Sequence, residues 1–296
     1  MSIRSDLEAA IATAGYRTID LHAAGLDQLL AKLELLDRTQ RYRALLHSLR
    51  GCNDRSNLRS ILLEATFAHA FEAQDLPLQY EIAQLPGASS TIDFRRSKAG
   101  GNRYNFEMRL VQQQAEITRS IEDQLAHTGW YEVSFGGDGE QREIIRLQSV
   151  ILSKCQDEHG RPVKFLAVVH GEFNFIVVDV SDLMLGGLDK KDCELAMYGG
   201  PGVPPYARRD VFGLFQVPFN SQAPHMELGA RFEHFRGTIH GVLFLRRLPR
   251  DNPINFKLAF FLVLNPSRPL LDDDRNELLC DLRTAMSGWQ NQRHGI

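Results

Sequence analysis

Apolar residues at helical spacing alternate along this chain with apolar runs short enough for strands, and that alternation restricts the fold more than any other feature. Leu26, Leu29, Leu30, Leu33 and Leu36 recur three and four residues apart. Tyr42, Leu45, Leu46 and Leu49 resume the spacing after a break at Asp37 to Gln40, and Gly51 is placed to stop the helix. A further helix is predicted over Asn57 to Ala73, capped by Ser56 or Asn57. Strands follow at Gln79 to Leu85, Thr91 to Arg95 and Tyr104 to Val111, turned by Pro86-Gly87 and Gly100-Gly101. Gln112 to Gly139 is polar, with no regular element assigned and a loop at Gly136 to Gly139.

The second half continues the alternation. A helix is predicted over Glu140 to Cys155, strands over Val163 to Val169 and Phe173 to Val180, and a short helix over Asp189 to Met197. Gly199 to Pro205 reads as a loop. Thr238 to Arg246 and Phe256 to Leu264 read as apolar strands separated by polar Leu248 to Asn255, and Asp272 to Trp289 as a helix with acids in its first turn. The expected fold is α/β, a mixed central β-sheet flanked by helices. The expected division is a helical N-terminal extension over 1–52 and an α/β domain over 53–296.

Composition narrows the class. Hydrophobic content of 43%, charged content of 24% and a net charge of −3 describe a globular chain. The longest apolar candidate, Leu258 to Leu264, is far too short for a membrane span. The N-terminal MSIRSDLEAAIATAG carries acids early and no secretion-signal core. Cys52, Cys155, Cys193 and Cys280 are scattered, without zinc-site spacing, as thiols in a reducing compartment would be, so a cytoplasmic location is expected.

Three carboxylates stand out. On the Asn57 to Ala73 helix the apolar stripe comprises Leu58, Ile61, Leu62, Ala65, Ala68 and Phe71, and Glu64 falls on its core side. A carboxylate there is costly unless paired or bound to a cation. Asp93, between Ile92 and Phe94, sits in a strand interior that disfavours Asp. In Asn105-Phe106-Glu107-Met108-Arg109 one strand face takes Phe106 and Met108 while the other presents Glu107 beside Arg109. Three acids from a helix and two adjacent strands can share a divalent cation, Mg²⁺ or Mn²⁺, which activates water and offsets phosphate charge. Arg95, Arg96, Lys98 and Arg103 lie between the two strand acids and suit a phosphate backbone.

This order of elements resembles the PD-(D/E)XK nuclease superfamily, the restriction-endonuclease-like fold. Glu64 matches that family's helix acid, Asp93 its strand Asp and Glu107 the first residue of its E-x-K, over roughly residues 56–180. The resemblance implies a restriction-endonuclease-like core; the C-terminal elaboration over 181–296 matches no motif and is large enough to hold a dimer or partner surface. The resemblance also implies metal-dependent hydrolysis of phosphodiester bonds, in DNA rather than RNA, with Glu64, Asp93 and Glu107 as metal ligands. The family Lys is replaced by Arg109, which suits a phosphate contact but is a poor proton acceptor. Some members carry the Lys on a neighbouring element, and Lys154, continuing the stripe Leu147, Val150, Ile151, is the candidate here. Gln148, on the Ile144, Ile151, Cys155 face, can also reach the sheet edge. Two alternatives stand beside this expectation. One is a catalytically inactive member serving as a nucleic-acid-binding or scaffolding subunit; the other is an unrelated α/β protein whose acids are structural.

Outside that constellation, Asp179 and Asp182 end a hydrophobic strand, a position where α/β proteins often place site residues, and Asp182 with Ser181 also suits a turn cap.

Overall fold

A computed structural model describes residues 2–15, 23–84, 90–112, 115–129, 139–155, 157, 161–165, 169–181, 190–198, 212, 234–248 and 257–286. In chain order the helices are α1 (Ile3–Thr13), α2 (Ala23–Thr39), α3 (Arg43–His47), α4 (Arg55–Glu72), α5 (Ala115–Thr128), α6 (Gly139–Leu152), α7 (Lys190–Tyr198) and α8 (Asp272–Ala285). The strands are β1 (Gln79–Ala83), β2 (Thr91–Ser97), β3 (Arg103–Leu110), β4 (Glu172–Asp179), β5 (Gly241–Leu248) and β6 (Lys257–Leu264). The protein is therefore α/β, with a single six-stranded mixed sheet in the order β1-β2-β3-β4-β5-β6. The β3–β4 and β4–β5 pairs are parallel and the other three antiparallel. Parallel neighbours need crossovers, and α6 and α7 lie in those two connections.

Strand alternation divides the core. Tyr104, Phe106 and Met108 of β3 join Phe94, Phe175, Val177, Leu243 and Leu245 on the face covered by α1 to α4 and α8. Ile176, Val178, Val242 and Phe244 point to the opposite face, under α6 and α7, and Ile92 joins their core although it stands only two residues before Phe94. Leu7, Leu29, Leu33, Leu36 and Tyr42 of the N-terminal helices belong to the first of these cores. Gly241 opens β5 so close to β6 that a Cβ there would stand 2.8 Å from the Val263 carbonyl oxygen. Only glycine lets the strands approach so closely.

α4 lies over the first face and carries Glu64. Its aromatic ring Phe67 meets Phe71, Phe94 and Phe106 at centroid distances of 5.1, 5.5 and 5.5 Å. Removing such a ring typically costs about 3–5 kcal/mol, so this knot holds the helix rotation, and with it Glu64 one turn earlier. The N-cap is Asp54, whose carboxylate accepts from Asn57 N at 2.7 Å, and not Ser56 or Asn57 as expected. Asp54 has the extended backbone a cap requires, whereas Ser56 and Asn57 already lie inside the helix.

Two further expectations are corrected. Gln112 to Gly139, assigned no regular element, contains α5. Val163 to Val169 is not a strand in its described part: Val163 and Lys164 form a bend and Phe165 has φ 55°. A buried aromatic in the left-handed region cannot continue a strand. The expected features at Pro86-Gly87, Gly136 to Asp138, Asp182, Gly199 to Pro205, 249–255 and 287–289 lie outside the described residues. No described helix is long and apolar enough to cross a membrane.

Candidate functional site

The site begins where β2 and β3 part. Their register runs from Ser97↔Arg103 to Phe94↔Phe106, and at the next step the Met108 amide donates to Asp93 Oδ2 at 2.6 Å. On its other side Asp93 would oppose Glu81, which breaks the β1–β2 register with φ 50°. A side-chain carboxylate thus replaces a ladder carbonyl, and Asp93 stays in a strand interior that would otherwise reject it. Burial first, and the Glu107 charge second, push its carboxyl up to about 6.

Glu64 approaches from α4, and its Oε2 accepts from the Tyr80 hydroxyl at 3.0 Å. Burial and then the neighbouring Asp93 charge push the Glu64 carboxyl up to about 8, against an opposing pull from the Tyr80 hydrogen bond. Low dielectric first, and like charge second, act in the same direction on both carboxyls, against the opposing pull of Lys154.

Glu107 is wholly buried and held by two lysines. Lys154 Nζ lies 2.6 Å from its Oε1, and Lys164 Nζ lies 3.4 Å from its Oε2. Lys154 sits in the turn that closes α6, with Lys154 N bonded to the Ile151 carbonyl. Lys164 comes from the bend beyond it and also donates to the Thr91 carbonyl at the start of β2. Cys155, buried under the same carboxylate, has its thiol pushed up by desolvation and by the Glu107 charge, so it is inert as a nucleophile.

A cleft of about 340 Å³ joins most of these groups. Glu64, Asp93, Arg109, Arg146 and Lys154 line it, together with Ser56 and Ser60 from α4. Glu107 lies behind Lys154 and does not line the cleft. Among the described residues, no three acidic, imidazole or thiol groups form a ready-made metal cage. The expected convergence is thus two acids at the cleft surface and a third beneath them, coupled by charge.

The remaining candidates go elsewhere. Gln148 turns to α7, donating to the Ala196 carbonyl at 2.6 Å from a position 1% exposed, because its helix face packs into the second core. It does not line the cleft. The four basic residues of the β2–β3 connection are each matched to an acid. Arg95 and Arg103 pair with Glu172 at 3.3 and 2.8 Å, Arg96 with Asp281 at 3.2 Å, and Lys98 with Asp281 and Glu277 at 2.8 and 3.3 Å. These pairs tie the hairpin to β4 and α8, and they offset the charge that a phosphate would seek. Asp179 is buried against Arg247 at 2.9 Å and also accepts from Ser181 N at 2.9 Å.

Three residues of the site escaped the sequence. Tyr80 follows the alternation of β1 and is half-buried there. Arg146 lines the cleft beside Val150 and Lys154, one residue before the stripe that begins at Leu147. Lys164 lies in an irregular loop, where no periodicity signals direction. No family model, no curated protein and no solved structure matches the chain.

Proposed function

We propose that α4, β1, β2, β3, α6 and β4 form a restriction-endonuclease-like core and that the protein is a metal-dependent hydrolase of phosphodiester bonds, acting on DNA. The observation that carries this reading is the shared cleft of Glu64, Asp93 and Lys154 with Glu107 directly behind the lysine, 2.6 Å from its nitrogen. A helix acid, a strand acid, a second strand acid and an amine from the following helical turn come together from residues far apart in sequence. Supporting it, Lys154 stands at the acid whose motif carries Arg109 in place of Lys.

The donor chemistry fits Mg²⁺ or Mn²⁺. The three acids offer carboxylate oxygens, and two of these groups are held above their ordinary range by burial and by nearby negative charge, a state that an added cation relieves. Glu64, Asp93 and Glu107 would hold the ion, which when bound supplies Lewis-acid stabilisation of phosphate charge. The chain's own residues supply the rest. Arg109, exposed on β3, and Arg146 line the cleft with guanidinium groups suited to phosphate oxygens. Tyr80 orients Glu64 by its hydrogen bond, and Lys154 supplies the amine.

A supercoiled plasmid and single-stranded DNA, each incubated with the protein and Mn²⁺, test the proposal. Cleavage is expected, and its loss on Glu107→Gln and on Lys154→Met. A parent protein that cleaves neither substrate removes the hydrolase reading. It would favour a nucleic-acid-binding or scaffolding subunit of the same fold, which the closed pairing of Glu107 with two lysines also suits.

A further inference from the structure

The two lysines on Glu107 are not equivalent. Lys164 is anchored twice, at Glu107 and at the Thr91 carbonyl, and it does not line the cleft. Lys154 has its one described polar partner in Glu107 and lies on the cleft wall, its side chain 19% exposed over a carboxylate of 0%. Its Nζ therefore stands between a buried anion and the open cleft, on a four-carbon stem free to rotate outward. Glu64 and Asp93 face the same space as acids, and Arg109 and Arg146 face it as cations.

Resting on the hydrolase reading above, we infer that Lys154 is an internal counter-ion that holds Glu107 in the metal-free chain and leaves it when a divalent cation enters. Lysine and metal then compete for one carboxylate, and the site is gated by an ion pair. A buried carboxylate that stays ionised is costly without a positive partner. Lys154 fulfils that need until the ion arrives. The released amine swings into the cleft, where a phosphate would lie, so cation entry and delivery of the amine become a single event. Lys164 stays in place throughout and keeps the second oxygen of Glu107 oriented.

Calorimetric titration of the full chain with Mn²⁺ alone, without substrate, tests the gate. Removing the competitor in Lys154→Met should tighten Mn²⁺ binding by about tenfold or more, a Coulomb contribution of the size expected for one close charge at a partly buried site. Lys154→Arg, which keeps the charge, should bind like the parent, and Lys164→Met should not tighten binding. Unchanged or weaker binding in Lys154→Met overturns the gate, as does equal tightening in both Met variants, which would mark a general charge effect. Unfolding scans with and without Mn²⁺ cover a variant that folds poorly, with Lys154→Gln as its neutral, polar companion. Folding of either variant that is restored by Mn²⁺ supports the gate; failure to fold in both conditions makes Lys154 structural and overturns it. A parent that cleaves no DNA removes the hydrolase reading alone, since the competition is read from metal binding.

Discussion

The Met108 amide donates to the Asp93 carboxylate at 2.6 Å, so a side chain completes the backbone of β3 at the point where β2 leaves it. Asp93 therefore has two duties, one structural and one at the cleft. They separate by substitution. Asp93→Ala leaves the Met108 N–H without an acceptor and should cost about 1–3 kcal/mol in denaturant unfolding. Asp93→Asn keeps an acceptor oxygen and should unfold close to the parent, while losing the anionic ligand. Mn²⁺ affinity measured by calorimetry should fall in both. Undiminished affinity in Asp93→Asn would show that the residue serves the sheet alone.

Glu64 makes stability depend on pH. Its carboxyl is held up to about 8 by burial and then by Asp93, against an ordinary value of 4.5. The folded chain keeps this proton until about pH 8, while the unfolded chain releases it near 4.5. The contribution is full below 4.5 and is lost progressively as pH rises to about 8. In a chelating buffer, the melting temperature of the parent should drop more between about pH 5 and pH 8 than that of Glu64→Gln, which still accepts from Tyr80 and has no proton to lose. Parallel pH profiles for the two proteins would remove Glu64 as the source.

Asp179 and Arg247 form a buried pair at 2.9 Å, with Asp179 wholly enclosed at the C-terminal end of β4. Asp179→Ala removes the carboxylate from a buried guanidinium, and should cost about 3–5 kcal/mol by chemical denaturation. Mn²⁺ affinity should not change, because Asp179 does not line the cleft. A variant of parental stability with weakened metal binding would instead place this acid at the metal site.

The sequence is most legible where periodicity meets burial. The stripe of Leu29, Leu30, Leu33 and Leu36 and the later set of Tyr42, Leu45, Leu46 and Leu49 are all core residues. β3, β4, β5 and β6 lie within a few residues of their expected positions, because alternation or continuous apolarity is dictated by the faces they cover. Glu64 and Asp93 could be singled out for the same reason: each is a charge at a position where the local pattern asks for an apolar or strand-forming residue. α5 carries Ile117, Ile121 and Leu125 four residues apart, but this stripe is one residue wide within a polar tract. Phe165 reads as a strand residue, yet its φ of 55° ends any strand there.

By itself, the sequence determined the α/β alternation, the core faces of its main helices and strands, and the identity of three improbable carboxylates, because these follow from local spacing. Tertiary structure alone decided the partners. Lys154 and Lys164 come to Glu107 from a helical turn and an irregular bend, Tyr80 reaches Glu64 across 16 residues of chain, and the basic hairpin is matched to acids of β4 and α8. Side-chain pairing between distant segments depends on the path of the intervening chain, and no local periodicity encodes that path.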